Sequence, residues 1–111
     1  MLEQKHVGNI TVVKLMMSNL DTSVAADVRE ELSAIVSKAK GVILLNLHEV
    51  TFMDSSGLAA IVYCFKMTEM KDQLIICEIS DRVRSVFKLT KLDAVLKIFD
   101  TEQSALAELG G

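Results

Sequence analysis

A carboxylate, two neighbouring hydroxyls and a glycine occur together at Asp54-Ser55-Ser56-Gly57, between the apolar run Leu44-Leu45-Asn46-Leu47 and a second one that begins Leu58-Ala59-Ala60-Ile61. These runs predict a strand followed at once by a helix, with the hydroxyls at the helix N-terminus. A serine there projects outside the fold, near backbone N–H groups that lack a partner within the helix. The chemistry this setting favours is acceptance of a phosphoryl group. The product carries about −1.5 to −2 charges and three acceptor oxygens, which the positive end of a helix tolerates. Ser55 is the expected acceptor. Plain capping of the helix by Asp54 or Ser55 accounts for the same residues without any chemistry, and both readings stay open at this point. If the turn and the apolar helix behind it form a docking surface, an unpaired phosphate forced into that surface weakens binding steeply, each ~1.4 kcal/mol being tenfold in affinity.

Asp21 is the second residue of interest, at the junction between a strand pattern and the first amphipathic helix pattern. Capping is its default role. If the ends of the two preceding strands lie side by side, Asp21 and Ser55 share one edge and the carboxylate is placed to orient the hydroxyl. Met53, beside the serine turn, is a candidate adaptable contact, although methionines more often fill core gaps. No GxSxG elbow surrounds either serine, and His48 near Asp54 and Ser55 does not make a triad. Neither GxxxxGK[ST] nor GxGxxG occurs, and His6, His48, Cys64 and Cys77 do not have metal-ligand spacing. Cys64 and Cys77 each sit in apolar sequence and are expected to be buried free thiols.

Positioning the turn requires a scaffold, and 111 residues are enough for one domain with a sizeable core, expected to span residues 1–111. Half the residues are apolar and 24% charged, and proline is absent. Net charge is −3 with no run of lysine or arginine, which argues against nucleic acid as a partner. Residues 1–6 lack the apolar core of a secretory signal, and no apolar run approaches the ~18 residues of a membrane span, so a cytoplasmic location is expected.

Ile10-Thr11-Val12-Val13-Lys14-Leu15-Met16 predicts a strand after the turn pair Gly8-Asn9, with a short strand before it. Val24, Val28, Leu32, Ile35, Val36 and Ala39 recur at helical spacing behind a cap at Asp21 or Thr22, and Gly41 supplies the stop. Val42-Ile43-Leu44-Leu45 and Leu74-Ile75-Ile76-Cys77 predict central strands, and a helix is expected over 56–70. Ser80 caps a short helix; Leu96-Lys97-Ile98-Phe99 predicts a last strand, followed by a helix capped by Asp100 or Thr101 and closed by Gly110-Gly111. Alternating strands and helices imply an open α/β sheet with right-handed crossovers.

With these elements in place, the string Leu45-Asn46-Leu47-His48-Glu49-Val50-Thr51-Phe52-Met53-Asp54-Ser55-Ser56-Gly57-Leu58 closely resembles the signature of STAS domains, specifically the bacterial anti-sigma factor antagonists. Asn19-Leu20-Asp21, Leu74 to Ser80 with Arg82 to Phe87, and Lys97-Ile98-Phe99 extend the likeness along most of the chain. The resemblance implies a mixed sheet of four to five strands flanked by about four helices. It also implies a phosphorylation-switched binding module without catalytic residues, metal or cofactor of its own. Unmodified, such a protein binds a serine-kinase anti-sigma factor, which holds the ATP, and frees the sigma factor. The kinase phosphorylates the serine after the aspartate, here Ser55, and a PP2C-type phosphatase resets it. The family's acidic residue near that serine maps to Asp21, and Asp54, Ser56, Gly57, Met53 and Leu58 are the expected supporting or partner-binding residues. Ser18, Ala59, Lys71-Asp72 and Lys91 stand where the family commonly has glycine, which restricts positive-φ backbone in those loops.

Two other readings compete. The chain could be a STAS subunit of a stress-sensing or lipid-transport assembly in which the serine is not a switch. An enzyme or nucleotide-binding domain lacks any supporting motif. A face of Leu58, Ile61 and Phe65 on the apolar helix could also serve a homodimer.

Overall fold

In the computed structural model, which describes residues 1–110, the chain opens with a hairpin of β1 (Leu2–Val7) and β2 (Ile10–Leu15). The two-residue loop Gly8-Asn9 joins Val7 to Ile10 in antiparallel register, and Gly8 has φ 60°, the positive value a tight hairpin of this length demands. β1 is largely exposed and forms one edge of the sheet; β2 is buried along nearly its whole length. β4 (Ile43–Asn46), β6 (Leu74–Cys77) and β7 (Ile98–Phe99) follow in parallel, giving the order β1-β2-β4-β6-β7. The expected mixed α/β architecture is thus present, antiparallel only at β1.

The strands alternate side chains between two clusters. Val13, Leu15, Ile43, Leu45, Leu74 and Ile76 face the layer formed by helices α1 (Thr22–Lys38), α2 (Ser55–Lys66) and α3 (Asp81–Leu89). Ile10, Val12, Leu44, Ile75 and Cys77 face α4 (Glu102–Leu109) through Ala105, Leu106 and Leu109. Because both faces are covered, β6 is apolar throughout and β4 is apolar up to its last residue, Asn46. Cys64 and Cys77 are buried free thiols, as expected; burial pushes them up to about 11 and about 12, with Glu102 and Glu78 adding to the effect at Cys77.

Several local expectations need correction. α2 stops at Lys66 rather than near residue 70, because Gln73 folds back to accept the N–H groups of Glu69 and Met70 and so closes a turn into β6. Gly41 is not a left-handed stop for α1: the helix closes at Ala39, whose N–H donates to Ile35 O at 3.0 Å. Gly41 is needed for a close approach, since a Cβ there would lie 2.2 Å from Asn9 O. Ile61 is fully buried, and Leu58 and Phe65 pack partly against the same core, so the proposed free apolar face on α2 is spent on the domain's own interior. Ser80 and Thr101 do cap α3 and α4, and Gly110 closes α4 at φ 76°; the expected role of Gly111 lies outside the described residues.

Two of the family-glycine positions do take left-handed backbone. Asp72 has φ 57° and Lys91 φ 61°, whereas Ser18 and Ala59 do not. Lys91 follows Thr90, the C-cap of α3, and its N–H donates to Lys88 O at 3.1 Å. An L-residue in this conformation costs roughly 1–2 kcal/mol, part of which glycine's greater unfolded-state entropy offsets. Lys91→Gly is therefore expected to stabilise the domain by about 1 kcal/mol, read as a rise in the urea midpoint with unchanged slope.

Candidate functional site

A second, two-stranded sheet, invisible in the sequence pattern, builds the site. β3 (Asn19–Leu20) and β5 (Phe52–Met53) pair in parallel, Asn19 opposite Phe52 and Leu20 opposite Met53. Ser18 O accepts the N–H groups of Thr51 and Phe52 at 2.8 and 3.1 Å, and Leu20 O accepts that of Asp54 at 3.3 Å. Both strands end at the same level, so the next residues, Asp21 and Asp54, become the N-caps of α1 and α2 side by side. Their short carboxylates suit the extended cap geometry each adopts.

Asp21 thus lies level with Asp54, the residue before Ser55. The Asp21 carboxylate, however, is engaged locally: Oδ1 accepts from Ser23 N at 3.0 Å and Ser23 Oγ at 2.6 Å, so it orients Ser23 and not Ser55. The bond between the two helix ends is made instead by Asp54. Its Oδ1 accepts from Gly57 N at 3.0 Å, and its Oδ2 accepts from Thr22 N at 3.2 Å and Thr22 Oγ1 at 3.3 Å. Thr22 Oγ1 in turn lies 3.1 Å from Ser56 Oγ. These bonds run through Asp54, Thr22 and Ser56 and leave the Ser55 hydroxyl out, exposed on the first turn of α2.

The Gly57 N–H holds the Asp54 carboxyl below its ordinary value, with smaller help from Thr22 and Ser56 against a modest desolvation penalty. The open N–H groups expected around Ser55 are thus partly taken by Asp54. A depressed folded value means the carboxylate's stabilising effect is complete well above the ordinary 3.8 and is lost as pH falls through the lower folded value. Asp54→Asn is expected to remove that share of acid sensitivity. Below about pH 4 its stability should fall less steeply than the wild type's, measured by urea titrations at stepped pH. Glu102, held low chiefly by its Lys5 hydrogen bond, titrates with the same sign in both proteins and cancels in the comparison.

Gly57 is buried against β3, where a Cβ would lie 2.1 Å from Leu20 O. Met53 is not a surface contact as expected. It is 4% exposed and packs in the core, because β5 alternates and turns Phe52, 40% exposed, outward instead. Leu58 is partly buried beneath the turn. His48 stays an exposed loop residue, its Nδ1 3.5 Å from Glu78 Oε1 and remote from the serine network. Thr22 and Phe52 are the site residues that sequence reasoning missed; Thr22 was visible only as an alternative cap. A shallow cleft of about 330 Å³ runs from Thr22 and Ser56 between α1 and α2, floored by alanines and flanked by Arg29. Among the described residues no cluster of His, Cys, Asp and Glu could hold a metal ion, and no helix is long and apolar enough to cross a membrane.

A mixed five-stranded sheet with paired acidic caps on two adjacent helices defines the class: the chain belongs to the STAS domain family, whose model matches residues 1–105. It is similar to the anti-sigma F factor antagonist of Paenibacillus polymyxa, 28% identical over 97% of this chain and 93% of that protein. It is also similar to the anti-sigma-B factor antagonist of Listeria monocytogenes, 32% identical over 75% of this chain and 74% of that protein. The fold matches that of the anti-sigma factor antagonist SpoIIAA from Bacillus in its unphosphorylated form, at TM-score 0.77 and 23% identity, covering 100% of this chain and 98% of that one. A phosphorylated form of SpoIIAA gives TM-score 0.72 at 23% identity, covering 98% and 99%.

Proposed function

We infer that this STAS domain is an anti-sigma factor antagonist whose binding is switched by phosphorylation of Ser55. In the unmodified state it binds a serine-kinase anti-sigma factor and so releases the sigma factor. The kinase supplies ATP and transfers a phosphoryl group to Ser55, a PP2C-type phosphatase removes it, and the domain contributes surface and an acceptor but no catalytic group. Such a cycle belongs to the cytoplasm. The observation that carries this reading is the exposed Ser55 hydroxyl, without a hydrogen-bond partner among the described residues, on the first turn of a helix capped by the aspartate before it. The names of the similar proteins point the same way.

Ser55 lies outside the hydrogen-bonded scaffold, so a phosphate there alters the surface without disturbing the core. Asp54 lies beside it, already ionised, and the local charge after transfer is strongly negative. A partner that buries this turn meets a charge it must desolvate, whereas the domain alone leaves that charge in water. The test is incubation of the purified chain with ATP and a purified anti-sigma factor serine kinase that binds it, followed by site-mapped mass spectrometry. One phosphate on Ser55, and loss of the kinase complex with it, is expected; an unmodified chain after full turnover of a control substrate refutes the switch.

A further inference from the structure

Two serines stand next to each other on α2, and the fold treats them differently. Ser55 Oγ is outside the network, while Ser56 Oγ lies 3.1 Å from Thr22 Oγ1. The direction of that bond follows from proton counting. Thr22 has one hydroxyl proton, and the ionised Asp54 carboxylate at 3.3 Å can only accept it. Thr22 must therefore accept from Ser56, which gives a directed chain from Ser56 O–H to Thr22 O–H to the Asp54 carboxylate. Ser56 is also partly buried at the mouth of the α1–α2 cleft, and a phosphate on its oxygen would sit against Thr22 and beside a carboxylate.

We propose that Thr22 is a specificity-determining positioning residue: by tying Ser56 to Asp54 across the seam between α1 and α2, it confines phosphorylation to Ser55. The inference rests on the switch reading above and adds a cause for the choice of serine. Attack by Ser56 on the γ-phosphorus of ATP would form one O–P bond and break another, releasing ADP. Its hydroxyl proton would pass to the kinase's base. That proton is the one committed to Thr22, so reaction at Ser56 first requires the chain to open. Ser55 has no such bond to break. Opening one hydrogen bond in a charge-terminated chain corresponds to about a tenfold bias between the two serines.

The experiment compares wild type, Thr22→Val, Thr22→Ala and Thr22→Ser, each with and without Ser55→Ala, treated with the same anti-sigma factor serine kinase and ATP and mapped by fragment mass spectrometry at early times. Thr22→Val, close in shape but without a hydroxyl, is expected to raise the rate of Ser56 labelling about tenfold in the Ser55→Ala background. Thr22→Ala is expected to match it, and Thr22→Ser, which keeps the hydroxyl, to restore the wild-type pattern. Loss of helix packing alone would not be rescued in this way, and circular dichroism melts verify that each variant is folded. Wild type labelled on Ser55 with Ser56 labelling unchanged by any Thr22 variant overturns the inference and leaves the switch intact. Wild type labelled equally on both serines also overturns it. No label on any hydroxyl of the wild type overturns the switch reading and the inference with it.

Discussion

Ser55→Asp is expected to weaken the complex with the anti-sigma kinase by about 100-fold or more, while Ser55→Ala binds within about threefold of wild type. The asymmetry follows from what each substitution does to the turn. Alanine removes an exposed hydroxyl that has no hydrogen-bond partner among the described residues, so stability should change by no more than about 0.5 kcal/mol. Aspartate places a second carboxylate next to Asp54, which is already ionised and spends its oxygens on Gly57 and Thr22. The isolated domain tolerates the addition, because the charge stays in water at the positive end of α2. An interface that closes over the turn must bury it unpaired. Isothermal titration of both variants decides the matter, with thermal melts as the control; equal affinity of Ser55→Asp and Ser55→Ala would sink the switch.

Gly57→Ala is expected to have the largest effect on stability. Alanine is the better helix former by about 1 kcal/mol, so on propensity alone the change should stabilise α2. The new methyl carbon would instead lie 2.1 Å from Leu20 O and 2.9 Å from Leu20 C, and neither backbone atom can rotate away. The helix must lift off β3, at a net cost of about 3 kcal/mol, the upper end for overpacking. That movement also pulls Asp54 away from Thr22, so partner binding is expected to fall with Ser55 still unmodified. Ala59, exposed two residues further along the same helix, gives the contrast: Ala59→Gly should cost only the propensity difference of about 1 kcal/mol. Urea titrations of the two variants separate the contact from the propensity.

Much of the scaffold was legible in the residues alone, because its signals are local. The unbroken apolar runs Val42–Leu45 and Leu74–Cys77 read as strands covered on both sides and correspond to β4 and β6, and Ser80 and Thr101 precede α3 and α4 as caps should. The turn Asp54-Ser55-Ser56-Gly57 was equally legible as a helix start, and the exposure of Ser55 agrees with a hydroxyl placed at that junction. Less legible were the ends of elements: α2 stops early because Gln73 reaches back to Glu69 and Met70, a bond no periodicity announces.

Composition and short-range spacing thus determined that this chain is an α/β domain with a candidate phosphoacceptor at the head of an apolar helix. Tertiary structure alone decided which groups surround that acceptor. β3 and β5 are two residues each, too short to carry any alternation, yet their pairing brings Asp21 level with Asp54. It turned Met53 inward and Phe52 outward, and joined Thr22 to Asp54 and Ser56 across more than 30 positions of chain. The physical reason is one of range: side-chain periodicity and capping act within a turn or two, whereas those bonds exist only after two distant strand ends have closed against each other.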